Sequence, residues 1–406
     1  MHRRPFLAAL LATAAAGFTP LPATGQSSRR ATGYIRTNWS RDPFSLGSYS
    51  FIAKGARKRQ TRDLARPIAD RIFFAGEATH PDYNSTVHAA YESGQYAADA
   101  VSETQANRIA VIGAGVSGLA AARQLADAGK AVTVLEGRDR IGGRIWTDNR
   151  LGTPMDLGAS WIHGTTGNPI ARLTRSARIK TKVTGYDYVI RGPGGQRIRD
   201  RDAPDWLDEV SEIQQGFGAG SDEINMRAYA SDLDYDGDEV IFPGGYGQIL
   251  PGLAAGLEVR LGQTVSKITL SRDGVSITSA QGGADRYDAV IVTVPLGVLK
   301  AGKITFDPPL PAAKQQAIQQ LGMGLLDKVY LKYDEVFWDK DATWILTPQN
   351  GLPAGQFNQW LNLCPFTGAP IILAFNGAGP ARQLAKLSDA KIVETAQRVL
   401  HETYPA

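Results

Sequence analysis

Three glycines and a glutamate form the first arrangement in this chain that could do chemistry. Gly113-Ala114-Gly115-Val116-Ser117-Gly118 follows the apolar run 109–112 and opens a helix-like stretch ending near Gly129; a second apolar run, 131–135, then closes on Glu136. Strand, glycine turn, helix, strand and acidic terminus is the layout of a dinucleotide-binding turn, and this ordered context makes the spacing much more specific than it is alone. Gly113 permits the tight turn, Gly115 lets a pyrophosphate approach the helix N-terminus, Gly118 permits close helix–strand packing, and Glu136 would accept hydrogen bonds from a ribose. A glycine turn that serves packing alone is the competing reading. Directly downstream, Gly137-Arg138-Asp139-Arg140-Ile141-Gly142-Gly143-Arg144 supplies a second glycine turn, whose arginines can meet phosphates with bidentate geometry. A nicotinamide-dependent Rossmann protein needs no such turn.

Lys328 lies in an apolar setting, between Leu326 and Val329-Tyr330-Leu331. An ammonium there is costly unless it finds a polar partner or loses its proton, which marks a functional lysine; the bland alternative is a lysine whose head snorkels to solvent from an edge strand. His163 follows Trp161-Ile162 in a glycine-bounded turn, where a lone histidine is commonly structural. Between 200 and 239, thirteen Asp or Glu stand against two Arg, a local charge of −11 in a chain of net charge +4. Such a run could attract a polycation or be a solvated face.

The elements that must position these residues belong to an ordinary globular chain: 406 residues, 43% hydrophobic and 21% charged, enough for two or three domains at about 150 residues each. Helical patterning covers 87–101 and 387–404. Meander-like strands are expected at 265–270, 275–279 and 289–294, and a polar linker at 102–107. The single cysteine, Cys364, excludes a disulfide framework, a CxxC pair and any multi-thiolate metal site. Basic residues are dispersed apart from Arg57, Lys58, Arg59 and Arg62, so nucleic acid is not an expected partner. Residues 1–26, with Arg3 and Arg4 before the apolar run 6–18, read as an export signal, either twin-arginine or ordinary secretory. No later stretch approaches the roughly 18 to 20 apolar residues of a membrane span, so no stable membrane anchor is expected. The protein is expected to be exported, periplasmic or secreted.

With these motifs go Asp156-Leu157-Gly158-Ala159-Ser160-Trp161-Ile162-His163-Gly164, the apolar run 290–300 through Pro295 and Gly297, Phe306-Asp307-Pro308-Pro309, and Gly322-Met323-Gly324-Leu325-Leu326-Asp327-Lys328-Val329. Together they resemble the flavin-containing amine oxidase family over nearly the whole chain after the signal, most closely its polyamine oxidases, including the spermine oxidase and histone demethylase branches. The resemblance implies an α/β two-dinucleotide-binding-domain flavoprotein with a Rossmann-like FAD domain and an α+β substrate domain. We place the FAD domain at 58–184 and 240–324, and the substrate domain at 31–57, 185–239 and 325–406. It also implies FAD as cofactor, held by Gly113, Gly115, Ser117, Gly118, Glu136, Arg138, Gly143 and Arg144. Glu77 would lie at the phosphate–ribityl region, Val265 at the adenine, and Ser160, Trp161, Thr86 and Val87 along the ring. Lys328 would hold a water near flavin N5, His163 would meet a substrate nitrogen, and Tyr49 would form one wall of an aromatic cage opposite Thr86. The implied reaction passes a hydride from a small-molecule amine to the flavin, with dioxygen as oxidant, giving hydrogen peroxide, an aldehyde and a shortened amine.

One feature departs from the family's order. Residues 71–101, including Gly76-Glu77 and Thr86-Val87-His88, resemble the segment that normally ends the catalytic domain, as does the stretch from Trp39 to Ser50, yet both precede the Rossmann glycines. The chain reads as circularly permuted, with Ala406 expected near Ala31. The rival readings are an L-amino-acid or monoamine oxidase of the same superfamily, the former needing an arginine for the substrate carboxylate, and a non-catalytic flavin-binding relative.

Overall fold

The structure, a computed structural model, describes residues 29–231 and 233–405; the expected export signal and Ala406 lie outside them. Five parallel strands form the first sheet, in the order Glu258–Arg260, Ala131–Leu135, Arg108–Ile112, Ala289–Val292, Ile72–Phe74. Its centre is apolar because both faces are covered, as parallel sheets require. Helix Val116–Asp127 packs on it and on helix Val87–Ser102. These two helices cross at Gly94, where a Cβ would stand 2.1 Å from the Ser117 carbonyl oxygen.

The expected meander is corrected in its third strand. Val265–Ser271, Gly274–Ser279 and Ala284–Tyr287 run antiparallel, whereas Ala289–Val292 belongs to the parallel sheet. The sequence explains the difference: residues 289–292 are all apolar and at most 1% exposed, while Ala284, Asp285 and Arg286 form a solvated edge.

A seven-stranded sheet runs Gly33–Arg36, Leu326–Lys332, Ile371–Gly377, Gln359–Asn362, Trp344–Leu346, Tyr188–Arg191, Arg197–Ile198. Leu326–Lys332 is interior, paired with Gly33–Arg36 on one side and Ile371–Gly377 on the other. Its alternation sends Val329 and Leu331 toward helix Asp389–Thr403, which presents Ile392, Val393, Ala396, Val399 and Leu400 at helical spacing. Lys328 and Tyr330 therefore point to the opposite face, where both donate to the Asp156 carbonyl. Buried Asp327 accepts from Thr37 Oγ1 at 2.8 Å and the Trp39 amide at 3.0 Å, fixing the crossing of 37–39 over this strand. At the end of the final helix, Arg29 Nη1 donates to the Tyr404 carbonyl at 2.7 Å and the Ala31 amide to Gln397 Oε1 at 2.8 Å. No helix among the described residues is long and apolar enough to cross a membrane.

Candidate active site

A cavity of about 1530 Å³ runs from the first sheet to the second, and every residue that the sequence assigned to the cofactor or the amine, except Gly118, lines it. Gly118 acts through packing, since a Cβ there would stand 1.9 Å from the Gly113 carbonyl oxygen. Gly113, at φ +105°, makes the turn that no side chain could share with Thr293. Gly115 is the N-cap of helix Val116–Asp127 with no side-chain cap, and a Cβ on it would meet no protein atom within 4 Å. The helix N-terminus thus opens onto the cavity, as an anion site should. The two glycine turns lie side by side: Gly142 donates to the Ala114 carbonyl at 2.7 Å and bridges Gly115.

Glu136 closes its strand buried, accepting from the Ala114 amide at 2.7 Å and the Arg138 amide at 2.8 Å. Val265 lies beside it on the cavity wall, the neighbouring Gln263 amide donating to the Glu136 carbonyl at 2.7 Å. Ser117 is buried with its hydroxyl 3.3 Å from that of Ser93.

The charged residues are more committed to the protein than their types suggested. Both arms of the Arg138 fork pair with Asp42 at 2.7 Å, with Ser45 adding a third contact, so its bidentate geometry is taken up within the chain. Glu77 accepts from the Ser50 amide and hydroxyl, the Ser85 amide and Arg144 Nη1. A carboxylate offers about four acceptor sites, so Glu77 serves the cavity as the brace of Arg144. Among the described residues, Arg144 pairs through Nη1 alone, with Glu77 at 2.8 Å and the Ser48 carbonyl at 3.0 Å, leaving the rest of its fork on the wall.

At the far end, Lys328 is 3% exposed. Its Nζ donates to the carbonyls of Asp156 at 2.8 Å and Gly158 at 2.7 Å and to Ser160 Oγ at 2.5 Å. Its interior strand and these three partners dispose of the edge-strand alternative. Burial pushes its ammonium well below the usual lysine range, against the pull of the Asp156 carboxylate. Burial also pushes Asp156 up, against hydrogen bonds from Thr147 and the Tyr246 amide and the charge of Lys328. The aromatic wall here is Trp161 stacked on Trp344, ring centroids 6.1 Å apart, with Phe375 tilted against both. Tyr49 lines the same cavity and donates its hydroxyl to the Gln215 carbonyl. Thr86 caps helix Val87–Ser102, accepting from the Ala89 amide at 3.1 Å and donating to the Tyr83 carbonyl at 2.6 Å, so that the helix start and Val87 border the cavity. His163 follows strand Trp161–Ile162 and meets Glu239, Nδ1 to Oε2, at 2.6 Å.

Sequence reasoning missed Asp42, Asp156 as the charge beside Lys328, Trp344, Phe375 and the individual role of Glu239. Asp156 stood in a quoted motif; Glu239 was counted only within the acidic run.

A family model for flavin containing amine oxidoreductases matches residues 16–102, 116–219 and 187–406. The chain belongs to this family. Among relatives of this amine oxidoreductase, polyamine oxidase 4 of Oryza sativa subsp. japonica is 32% identical over 357 residues, covering 73% of each chain. Polyamine oxidase 2 of Arabidopsis thaliana is 31% identical over 368 residues, covering 75% of this chain and 74% of the relative. Cyclohexylamine oxidase from Brevibacterium oxydans IH-35A shares the fold, with TM-score 0.59 at 20% identity over 74% of this chain and 81% of that one. The protein is an FAD-dependent amine oxidoreductase. Its own geometry fits that cofactor: an uncapped helix start, a glycine with open space where a Cβ would stand, a buried carboxylate at the end of the second strand, and an arginine with part of its fork unused.

Proposed function

We propose that this amine oxidoreductase oxidises polyamines, spermine, spermidine or their acetylated forms, with dioxygen as the second substrate. The observation that carries the reading is the charge of the cavity wall. Glu212, Asp234, Asp236 and Asp238, all from the 200–239 region, line the cavity together with the aromatic residues Trp161, Trp344 and Phe375. Clustered carboxylates concentrate cations, and several of them suit a substrate carrying several. The relatives named polyamine oxidases support the same choice. An amino-acid substrate would need an arginine for its carboxylate. Among the described residues, the arginines on the cavity wall are Arg138 and Arg144, both on the second glycine turn, where the cofactor's pyrophosphate is expected.

FAD, when bound, supplies a two-electron acceptor for the C–H bond beside the amine nitrogen and passes the electrons to dioxygen, giving hydrogen peroxide and, after hydrolysis, an aldehyde. The chain's residues do the rest. Gly115, Arg144 and the start of helix Val116–Asp127 hold the pyrophosphate, and Glu136 holds the ribose. Lys328 Nζ, with its proton affinity lowered by burial, holds or releases a proton at the aromatic end. Trp161, Trp344 and Phe375 exclude water, and Tyr49, Thr86 and His163 border the amine.

The test is peroxide release from FAD-loaded protein offered spermine, spermidine, acetylated polyamines, monoamines and L-amino acids in parallel. Release with polyamines at a kcat/KM at least tenfold above the monoamines is the expected result; preference for amino acids would overturn it.

We also read the chain as exported and as a circular permutation of its family. The glycine turns at 113–118 and 142–143 follow, rather than precede, the segment from Ile72 to Ser102 that completes their sheet and helix layer. Contacts of Arg29 and Ala31 with Tyr404 and Gln397 support a short connection there. A chain rejoined between 404 and 29 and opened in the 102–107 linker should bind FAD with unchanged stoichiometry; loss of binding would count against the permutation.

A further inference from the structure

Glu239 stands one residue before strand Val240–Ile241, which pairs on one side with Trp161–Ile162 and on the other with Lys182–Val183. It is therefore joined to both flanking strands. Its carbonyl accepts from the Thr184 amide at 2.9 Å and the Thr184 hydroxyl at 3.2 Å, and that hydroxyl accepts from Trp161 Nε1 at 3.1 Å. Its carboxylate reaches the other way, Oε2 to His163 Nδ1 at 2.6 Å, with Oε1 accepting from the Gly164 amide at 3.2 Å.

The turn that carries the histidine is held independently. Asn168, fully buried, donates to the His163 carbonyl at 3.2 Å. Gly164, at φ +66°, packs so closely on the 235–239 loop that a Cβ would stand 2.0 Å from the Tyr235 carbonyl oxygen. Thr166 donates to the Asp236 carbonyl at 2.8 Å. The turn at His163 and the ring of Trp161 therefore have supports besides the Glu239 carboxylate. Beyond its bond to the Gly164 amide, what the carboxylate determines is the imidazole.

We propose that Glu239 is a positioning residue that fixes His163 with its proton on Nδ1 and its lone pair on Nε2. A carboxylate has only acceptors to offer, so the nitrogen 2.6 Å away must be the donor, and the neutral ring then carries its acceptor on the other nitrogen. His163 thereby presents an acceptor to an N–H of the amine in the cavity. The inference rests on the amine-oxidase reading for the identity of that N–H, but not for the tautomer. The other charged groups lining the cavity are Asp234, Asp236 and Asp238 on the same loop, Glu212 from the stretch 209–214, Lys328 from strand Leu326–Lys332, and Glu77, Glu136, Arg138, Arg144 and Lys303.

The tautomer can be read directly from 15N spectra of histidine-labelled, FAD-loaded protein without substrate, at about pH 9, above the ordinary imidazole range. His163→Gln assigns the signal. The wild type should show a protonated Nδ1 and a bare Nε2, and Glu239→Gln, whose amide can donate to Nδ1, should move the proton to Nε2. A wild-type ring protonated at Nε2, or a ring unmoved by Glu239→Gln, would overturn the proposal.

Kinetics supply a second arm. Glu239→Gln should lower kcat/KM for the amine by about ten- to a hundredfold, the worth of a hydrogen bond to a charged group. That loss should vanish on the His163→Gln background. A full additional loss in the double variant would mean that Glu239 acts on the amine as a bare charge, and would overturn the positioning role. The spectrum needs no amine, so silence across the amine panel would defeat the oxidase reading while the tautomer stands on the spectrum alone.

Discussion

Two lysines in this protein are equally hidden, Lys314 and Lys328, each 3% exposed. Burial pushes both ammonium groups down, Lys314 to about 7. Lys314 donates to the carbonyls of Leu64 at 2.5 Å and Asp63 at 3.2 Å and sits 3.9 Å over the Phe74 ring. It closes the end of helix Lys58–Ala65, where a cation suits both the unpaired carbonyls and the helix dipole. Lys328 also donates to two carbonyls, but it lines the cavity, beside a buried carboxylate and an aromatic wall. A lowered proton affinity is common to both, so it does not by itself identify a site; access to a cavity separates the structural lysine from the functional one.

That contrast can be tested with substitutions of graded effect. The largest is expected from Lys328→Met, which should reduce turnover on the order of 10²- to 10⁴-fold, the range of a positioned proton-transfer group, with FAD content retained; Lys314→Met should leave turnover per folded molecule unchanged. Equal loss of FAD and turnover in Lys328→Met would remove the distinction. Next, Arg144→Met leaves Glu77 buried without its cation and should cost about 3 kcal/mol of stability, seen as a lower Tm together with weaker FAD binding. Gly115→Ala should weaken FAD binding by roughly tenfold or more, since 1.4 kcal/mol is a factor of ten, yet leave the Tm of the FAD-free protein unchanged because the new methyl meets no protein atom.

The smallest effect belongs to Lys314 and depends on pH. Its folded ammonium releases its proton near 7, whereas the unfolded one holds it to about 10.5. The unfolded chain therefore carries more protons between these values, and stability rises with pH across that window, the cost being present in full below it. Relative to Lys314→Met, the wild type should gain stability between pH 7 and 10. Thermal melts of the two proteins at both pH values check the sign, and a gap that narrows in the opposite direction would contradict it.

What could be read from the sequence follows the reach of each interaction. The glycine turn was legible because strand, turn, helix and acid are consecutive, and the physics that selects them is local. Lys328 was legible because Leu326, Val329, Tyr330 and Leu331 around it make any ammonium conspicuous. The run 289–294 was assigned to a meander because its apolar character was visible but its partner was not; burial on both faces placed it in the parallel sheet. The pairings of Arg138 with Asp42 and of His163 with Glu239 join residues 96 and 76 positions apart, and no local spacing announces them. Glu77 illustrates the same limit: the resemblance implied its place at the phosphate–ribityl region, but the partners that hold its oxygens, Ser50, Ser85 and Arg144, come from three separate segments.

The most direct test of the central claim is to mix the FAD-loaded protein anaerobically with spermine or spermidine and follow the flavin absorption. The account predicts that the oxidised flavin band bleaches to completion and returns when air is admitted. Flavin that stays oxidised with every amine, while remaining bound in stoichiometric amount, would contradict it.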